Sequence, residues 1–136
     1  MGNRAVITTK STNPEHENGI DPDAIGVYVH WGGHKEFIAA ALAVCKAKGY
    51  RSPDSDNYGW ARLCQVLANC YPDGLTVGVD TCKRLDCDNW DNGTYLIKGW
   101  EIVGGVYSNE WQGKLDEKAY QENYNAIMAA QPEGGA

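Results

Sequence analysis

The chain holds a single phenylalanine in 136 residues, against five tryptophans and eight tyrosines. Phe is the aromatic of dry cores. Trp and Tyr carry a polar atom that wants a partner, so this inventory suits core edges and contact surfaces. Long apolar runs are missing as well, and nothing approaches the ~20 residues of a membrane span. Positive charge is scarce: 12 Lys and Arg stand against 18 Asp and Glu, for a net charge of −6. Phosphate-tracking surfaces are built from Lys and Arg, so no direct nucleic-acid binding is expected. The acidic balance fits either a basic protein partner or plain solvation.

A targeting signal is not visible. Met1-Gly2-Asn3-Arg4-Ala5-Val6-Ile7 runs directly into Thr8-Thr9-Lys10, and Met1-Gly2 lacks the Ser or Thr of a myristoylation signal. The expectation is a cytoplasmic protein with no membrane partner. The five cysteines, Cys45, Cys64, Cys70, Cys82 and Cys87, are an odd number, which a secreted disulfide framework rarely leaves. Cys45 and Cys64 fall on apolar helical faces, where a thiol acts as a small hydrophobe. Cys82 and Cys87 form a CxxxxC pair with no second pair and no nearby His, a weak zinc signal. All five read as reduced thiols, and no metal or cofactor is expected.

Residues 4–9 read as a first strand, rich in β-formers. Residues 10–25 contain Pro14, Gly19, Pro22 and the carboxylates Glu15, Glu17, Asp21 and Asp23, with almost nothing to bury. This predicts a mobile acidic surface loop, either an arm for a basic partner or a tolerated insertion. Residues 26–31 alternate as a second strand, and Gly32-Gly33 break it. A helix follows, with Ile38, Ala41, Leu42 and Cys45 at the spacing of one buried stripe and Gly49 as its cap. After a polar loop over 50–59, Trp60, Leu63, Cys64, Leu67 and Tyr71 mark a second helix, stopped at Pro72-Asp73-Gly74.

Leu75 to Val79 alternate as a strand, and Asp86 to Gly93 is turn-rich. Residues 94–103 read as one bent strand or two short ones. A one-residue bulge at Lys98-Gly99 would bring Tyr95, Ile97, Trp100 and Ile102 onto one face. A last helix begins near Asp116 with Tyr120, Tyr124, Ile127 and Met128 as its stripe, and residues 131–136 read as a loose tail. Strands here are mostly not separated by single crossover helices. The expectation is therefore an α+β fold: one domain over 1–130, a mainly antiparallel sheet of four to five strands, and about three helices gathered on one face.

Three constellations carry candidate chemistry. A strand entering a Gly-Gly turn and a helix presents free N–H groups to an anion, and Trp31 could stack on a ring. The expected pocket comprises His30, Trp31, Gly33, Lys35, Arg51, Tyr58 and Trp60, and would hold a small anionic, nucleotide-like ligand. It matches neither the Walker A nor the dinucleotide glycine pattern, and a Gly-Gly turn is often only a turn. Asp54-Ser55-Asp56-Asn57-Tyr58-Gly59 opens like a calcium loop but puts Gln65 where a bidentate Glu is required, so a turn with Asp56 or Asn57 capping the helix fits better. Asp80, Asp86, Asp88 and Asp91 surround Lys83 and Arg84, either as a carboxylate site or as ordinary turn formers. No catalytic residue is singled out. His16, His30 and His34 offer bases without any local nucleophile signature, and His16 sits in the 10–25 loop.

Four blocks together have a resemblance: MGNRAVI at 1–7, GVYVHW at 26–31, YGWARLCQV at 58–66 and CDNWDNGTY at 87–95. They resemble a family of short proteins carried by phages and prophages of Gram-positive bacteria. The likeness runs from residue 1 to about 104; the 10–25 loop is longer than the family's, and the last helix lies outside the likeness. The resemblance implies a setting more than a mechanism. In that setting the expectation is a non-enzymatic accessory protein of counter-defence, anti-CRISPR-like type. It would act by stoichiometric binding, either of a host defence protein or by sequestration of a small nucleotide-like signal. Whether it forms a homo-oligomer stays open. The alternative is a small hydrolase with a Cys–His or carboxylate site.

Overall fold

The computed structural model describes residues 3–54, 57–71 and 77–132. Five strands form one sheet: β1 (Ala5–Thr9), β2 (Ile25–Val29), β3 (Val77–Thr81), β4 (Thr94–Lys98) and β5 (Glu101–Val106). Three helices accompany them: α1 (Lys35–Ala47), α2 (Asn57–Asn69) and α3 (Glu117–Ala130). The sheet order is β3-β2-β1-β4-β5, with β1 and β4 parallel and every other pair antiparallel. The domain is thus α+β, with a mostly antiparallel sheet.

Strand alternation decides which face each residue serves. Ala5 and Ile7 of β1, Val27 and Val29 of β2, and Tyr95 and Ile97 of β4 face the helices and join Ile38, Leu42, Leu63 and Leu67 in the main core. α1 lies between this face and α3, so even its first residue, Lys35, is buried. Gly49 ends α1 at φ +76°. Its N–H donates to the Lys46 carbonyl and the Tyr50 N–H to the Cys45 carbonyl, the paired bonds of a left-handed helix cap.

The opposite face is covered too, which corrects the reading of 10–25 as having nothing to bury. Ile20 is only 8% exposed and packs with Leu96 and Cys82, flanked by Cys87 and Val106. The loop is tied down by Ser11 N–H to the Gly19 carbonyl at 2.8 Å and by Lys10 N–H to the Ile97 carbonyl at 3.0 Å. One isoleucine suffices because Val6, Thr8 and Leu96 leave an apolar face that water would otherwise cover.

Other boundaries also shift. β4 and β5 are two strands joined by a two-residue turn, Gly99-Trp100, with Gly99 at φ +62°. The register slip lies further in, where Leu96 faces Gly104 and Ile97 faces Ile102, so Val103 is the extra residue. Trp100 and Ile102 still reach the helix-covered face, and Trp100 Nε1–H donates to the Tyr50 carbonyl at 2.9 Å. β3 extends to Thr81 because β2 supplies partners as far as Ile25. The helix stop at 72–74, the residues 75–76 and the capping choice of Asp56 lie outside the described residues.

α3 begins where expected: Asp116 Oδ1 accepts from the Ala119 N–H at 3.1 Å. Gln131, expected in a loose tail, is buried instead. Its Nε2 donates to the Val66 and Ile127 carbonyls at 3.1 and 3.0 Å, and its Oε1 accepts from Asn69 Nδ2 at 2.8 Å. Both carbonyls belong to the last turns of their helices, where intrahelical partners run out, and one amide satisfies both. Among the described residues no helix is long and apolar enough to cross a membrane.

Candidate functional site

The seven residues expected to share a pocket are divided between the two ends of α1. His30, Trp31, Gly33 and Lys35 stand at its start, whereas Arg51, Tyr58 and Trp60 lie beyond its finish. Thirteen helical residues separate them by roughly 20 Å at 1.5 Å each. At the far end Arg51 and Arg62 hold their guanidinium carbons 4.7 and 4.8 Å from the centre of the Tyr58 ring. Trp60 is buried in the core, and Lys35 lines a separate cavity with Trp111, Gly113 and Tyr120.

The glycine turn also spends part of its expected anion cradle on the chain itself. The Gly33 N–H already donates to the Asn3 carbonyl at 2.8 Å, and its carbonyl accepts from the Tyr95 hydroxyl at 2.7 Å. A Cβ on Gly33 would come within 2.5 Å of the Asn3 carbonyl oxygen, so glycine is needed for close chain approach. Two of the four aspartates serve their own surroundings: Asp80 accepts from the Thr81 N–H and Asp91 binds Arg4. Among the described residues no three His, Cys, Asp or Glu side chains converge as a metal site.

What the structure does assemble is an edge at one end of the sheet, where β1 and β4 begin and β2 and β5 finish. Its frame is Asn89, fully buried in the turn before β4. Asn89 Nδ2 donates to the Asp86 and Gly93 carbonyls at 3.2 and 2.9 Å, and Oδ1 accepts from the Asp91 and Gly93 N–H groups at 3.3 and 3.0 Å. Asp91 Oδ2 in turn accepts from both the backbone N–H and the Nε of Arg4, each at 2.9 Å. Asn92 Nδ2 completes the tie to β1 through the Arg4 carbonyl at 3.0 Å.

Aromatic rings stand on this frame. Trp90 is 87% exposed and Tyr107 53%, with backbone φ of +64° and +69°, in the left-handed region. Trp31, 45% exposed, meets the His30 ring edge-on at 5.2 Å, and His30 Nδ1 pairs with the Tyr28 hydroxyl at 2.8 Å. The sequence signal for Trp90 was available: an indole amid Asp88, Asn89, Asp91, Asn92 and Gly93 has no strand or helix period to bury it. Tyr107, just past the end of β5 and beyond the strand expected over 94–103, carried no such signal.

The Arg4 hydrogen bonds hold the Asp91 carboxyl below the usual carboxylate value, the guanidinium first and the backbone N–H second. Asp91 therefore binds its proton more weakly folded than unfolded. Its stabilisation is complete above the ordinary value of about 3.9 and is lost as pH falls through the depressed one. Asp91→Asn should lower the melting temperature near neutrality, and the gap to wild type should narrow as pH falls below the ordinary carboxylate value of about 3.9. A gap that stays constant across a pH series of melts would refute this assignment.

A second feature lies on the face beneath the 10–25 loop. A cavity of about 630 Å³ is lined by Glu15, His16 and Ile20 from that loop, by Cys82 and Cys87, and by Tyr107 from the aromatic edge. His16 faces the same space as Cys87, yet its Nδ1 pairs with Ser11 Oγ at 2.6 Å, and that oxygen also accepts from the Asn13 N–H. This is the bonding of a loop turn, and no carboxylate completes it among the described bonds. Comparison of the chain with models of protein families, with curated proteins and with solved structures finds no match.

Proposed function

We propose that this protein acts by stoichiometric binding of a protein partner through the aromatic edge of Trp31, Trp90 and Tyr107. The observation that carries the reading is Trp90. A bulky L-residue in the left-handed region costs roughly 1–2 kcal/mol, and an indole that is 87% exposed recovers none of it in the free chain. Strain of this kind persists where surrounding structure over-determines it, as Asn89 does here, and it marks binding sites. Trp and Tyr are also the residues that dominate interface hot spots. Asp86 and Asp88 flank the turn, and the chain carries −6 overall, so the partner we infer presents an apolar pocket rimmed by Lys and Arg.

On the resemblance to phage-borne accessory proteins, that partner is a host defence protein met in the host cytoplasm. The division of the seven pocket residues between the ends of α1 favours this over sequestration of a nucleotide-like signal. Titration of the chain against the defence activity should give inhibition that ends at a fixed molar ratio. A double variant, Trp31→Ala with Trp90→Ala, should lose it while keeping the wild-type circular dichroism. Inhibition by far substoichiometric protein would point to turnover and overturn the binding reading.

A further inference from the structure

The cavity beneath the 10–25 loop contains two thiols arranged in depth. Cys82 is 3% exposed at its floor, and Cys87 is half-buried nearer its mouth. The turn between them is fixed: the Leu85 N–H donates to the Cys82 carbonyl at 3.1 Å, and the Cys87 N–H to the Leu85 carbonyl at 3.0 Å. The Cys87 thiol donates to the Cys82 carbonyl oxygen at 3.5 Å, which places its sulfur beside Cys82, and the Thr94 hydroxyl donates to the Cys87 carbonyl at 3.0 Å. The walls bear Glu15, Glu17, Asp86 and Asp88 against Lys83 and His16, so the space is acidic.

We propose that Cys87 and Cys82 form a thiol–disulfide exchange site for small neutral or cationic disulfides, with Cys87 attacking and Cys82 resolving. The Cys87 thiolate attacks one sulfur of R–S–S–R, forming Cys87–S–S–R and releasing RS⁻, which takes up a proton. Cys82 then loses its proton to solvent, and its sulfur attacks Cys87 Sγ, expelling the second RS⁻ as thiol. Two protein thiols are oxidised to one disulfide, and one small disulfide is reduced to two thiols. The acidic walls repel anionic disulfides and draw in cationic ones.

The neighbouring Cys82 side chain brings the Cys87 thiol down to about 7, with help from Thr94 and against burial and the Asp86 charge. The Cys87 side chain and burial together raise Cys82, which keeps it protonated until Cys87 has reacted. Burial pushes Cys45 up to about 12 and raises Cys64 and Cys70 as well, so the other three thiols are poor nucleophiles.

The test is incubation of the folded chain with cystamine near pH 7.5, followed by intact mass and peptide mapping. A Cys82–Cys87 disulfide should form first, at least about tenfold faster than with oxidised glutathione. Cys82→Ala should accumulate a mixed disulfide on Cys87. Cys87→Ala and Cys87→Ser should both leave Cys82 free, and two replacements guard against one failing to fold. Reaction first at Cys64 or Cys70, an unreacted wild type, or undiminished reaction of Cys82 in both Cys87 variants overturns the site. Equal rates for cystamine and oxidised glutathione overturn its charge selection.

Discussion

Replacing Asn89 by Ala should destabilise the fold by about 3 kcal/mol and lower the melting temperature by about 10 °C. The side chain is fully buried and makes four hydrogen bonds, two as donor and two as acceptor, all to backbone groups of residues 86–93. Alanine removes all four bonds at once. The Gly93 carbonyl keeps the Val6 N–H at 2.9 Å, but the Gly93 N–H loses the bond to Asn89 at the start of β4, and a buried polar group left alone costs about 1–3 kcal/mol. Asp91 and Asp86 lie closer to solvent, so water replaces part of what they lose. Gly93 adds to the effect: at φ +65° it can follow no other path, and a Cβ there would collide with the Val106 carbonyl oxygen. Asn89→Asp keeps both acceptor bonds and loses both donor bonds, so it should fall between wild type and alanine. Urea unfolding of the three proteins measures this series. A cost under about 1 kcal/mol for Asn89→Ala would mean that water replaces the amide, and the turn would not be the rigid frame described here.

How far this site was legible in the sequence follows from the kind of signal each residue leaves. Periodicity encodes burial, so the stripes of α1, α2 and α3 and the shared face of Tyr95, Ile97, Trp100 and Ile102 were readable before any coordinates. Gly49 announced its cap for the same local reason. Asn89 left no trace, because an asparagine in a turn looks the same whether it bonds water or braces eight residues of backbone. Ile20 was lost in a polar stretch: a single apolar residue has no period, and only the exposed face of β1 and β4 gives it somewhere to go.

The pocket expected around His30, Trp31, Gly33, Lys35, Arg51, Tyr58 and Trp60 came apart for a related reason. Residues adjacent in sequence to either end of a helix look equally near it, and only the helix length holds them apart. Cys82 and Cys87 were visible as a spaced pair. Their placement at two depths of one cavity depends on the 10–25 loop folding back over the sheet, a tertiary fact with no local code.

Trp90→Asn should move stability and binding in opposite directions. Asparagine tolerates the left-handed region far better than tryptophan, because its short polar side chain bonds locally, so relief of strain should stabilise the chain by up to about 1 kcal/mol. Asparagine avoids the extra unfolded-state freedom that glycine would bring, which would mask the gain. The indole touches little in the free protein, so its loss removes no packing that would offset the relief. The partner, by contrast, loses its central anchor, and removal of a tryptophan hot spot costs at least about 2 kcal/mol, or roughly thirtyfold in Kd. An ordinary surface residue would change neither quantity, and a structural one would lower both. Only a residue held in strain for a contact outside the chain gives a higher melting temperature with a weaker complex. Calorimetric melts paired with titration against the captured partner would separate these cases. A fall in melting temperature for Trp90→Asn would show that the ring supports the turn, and unchanged affinity would remove the aromatic edge as the binding surface.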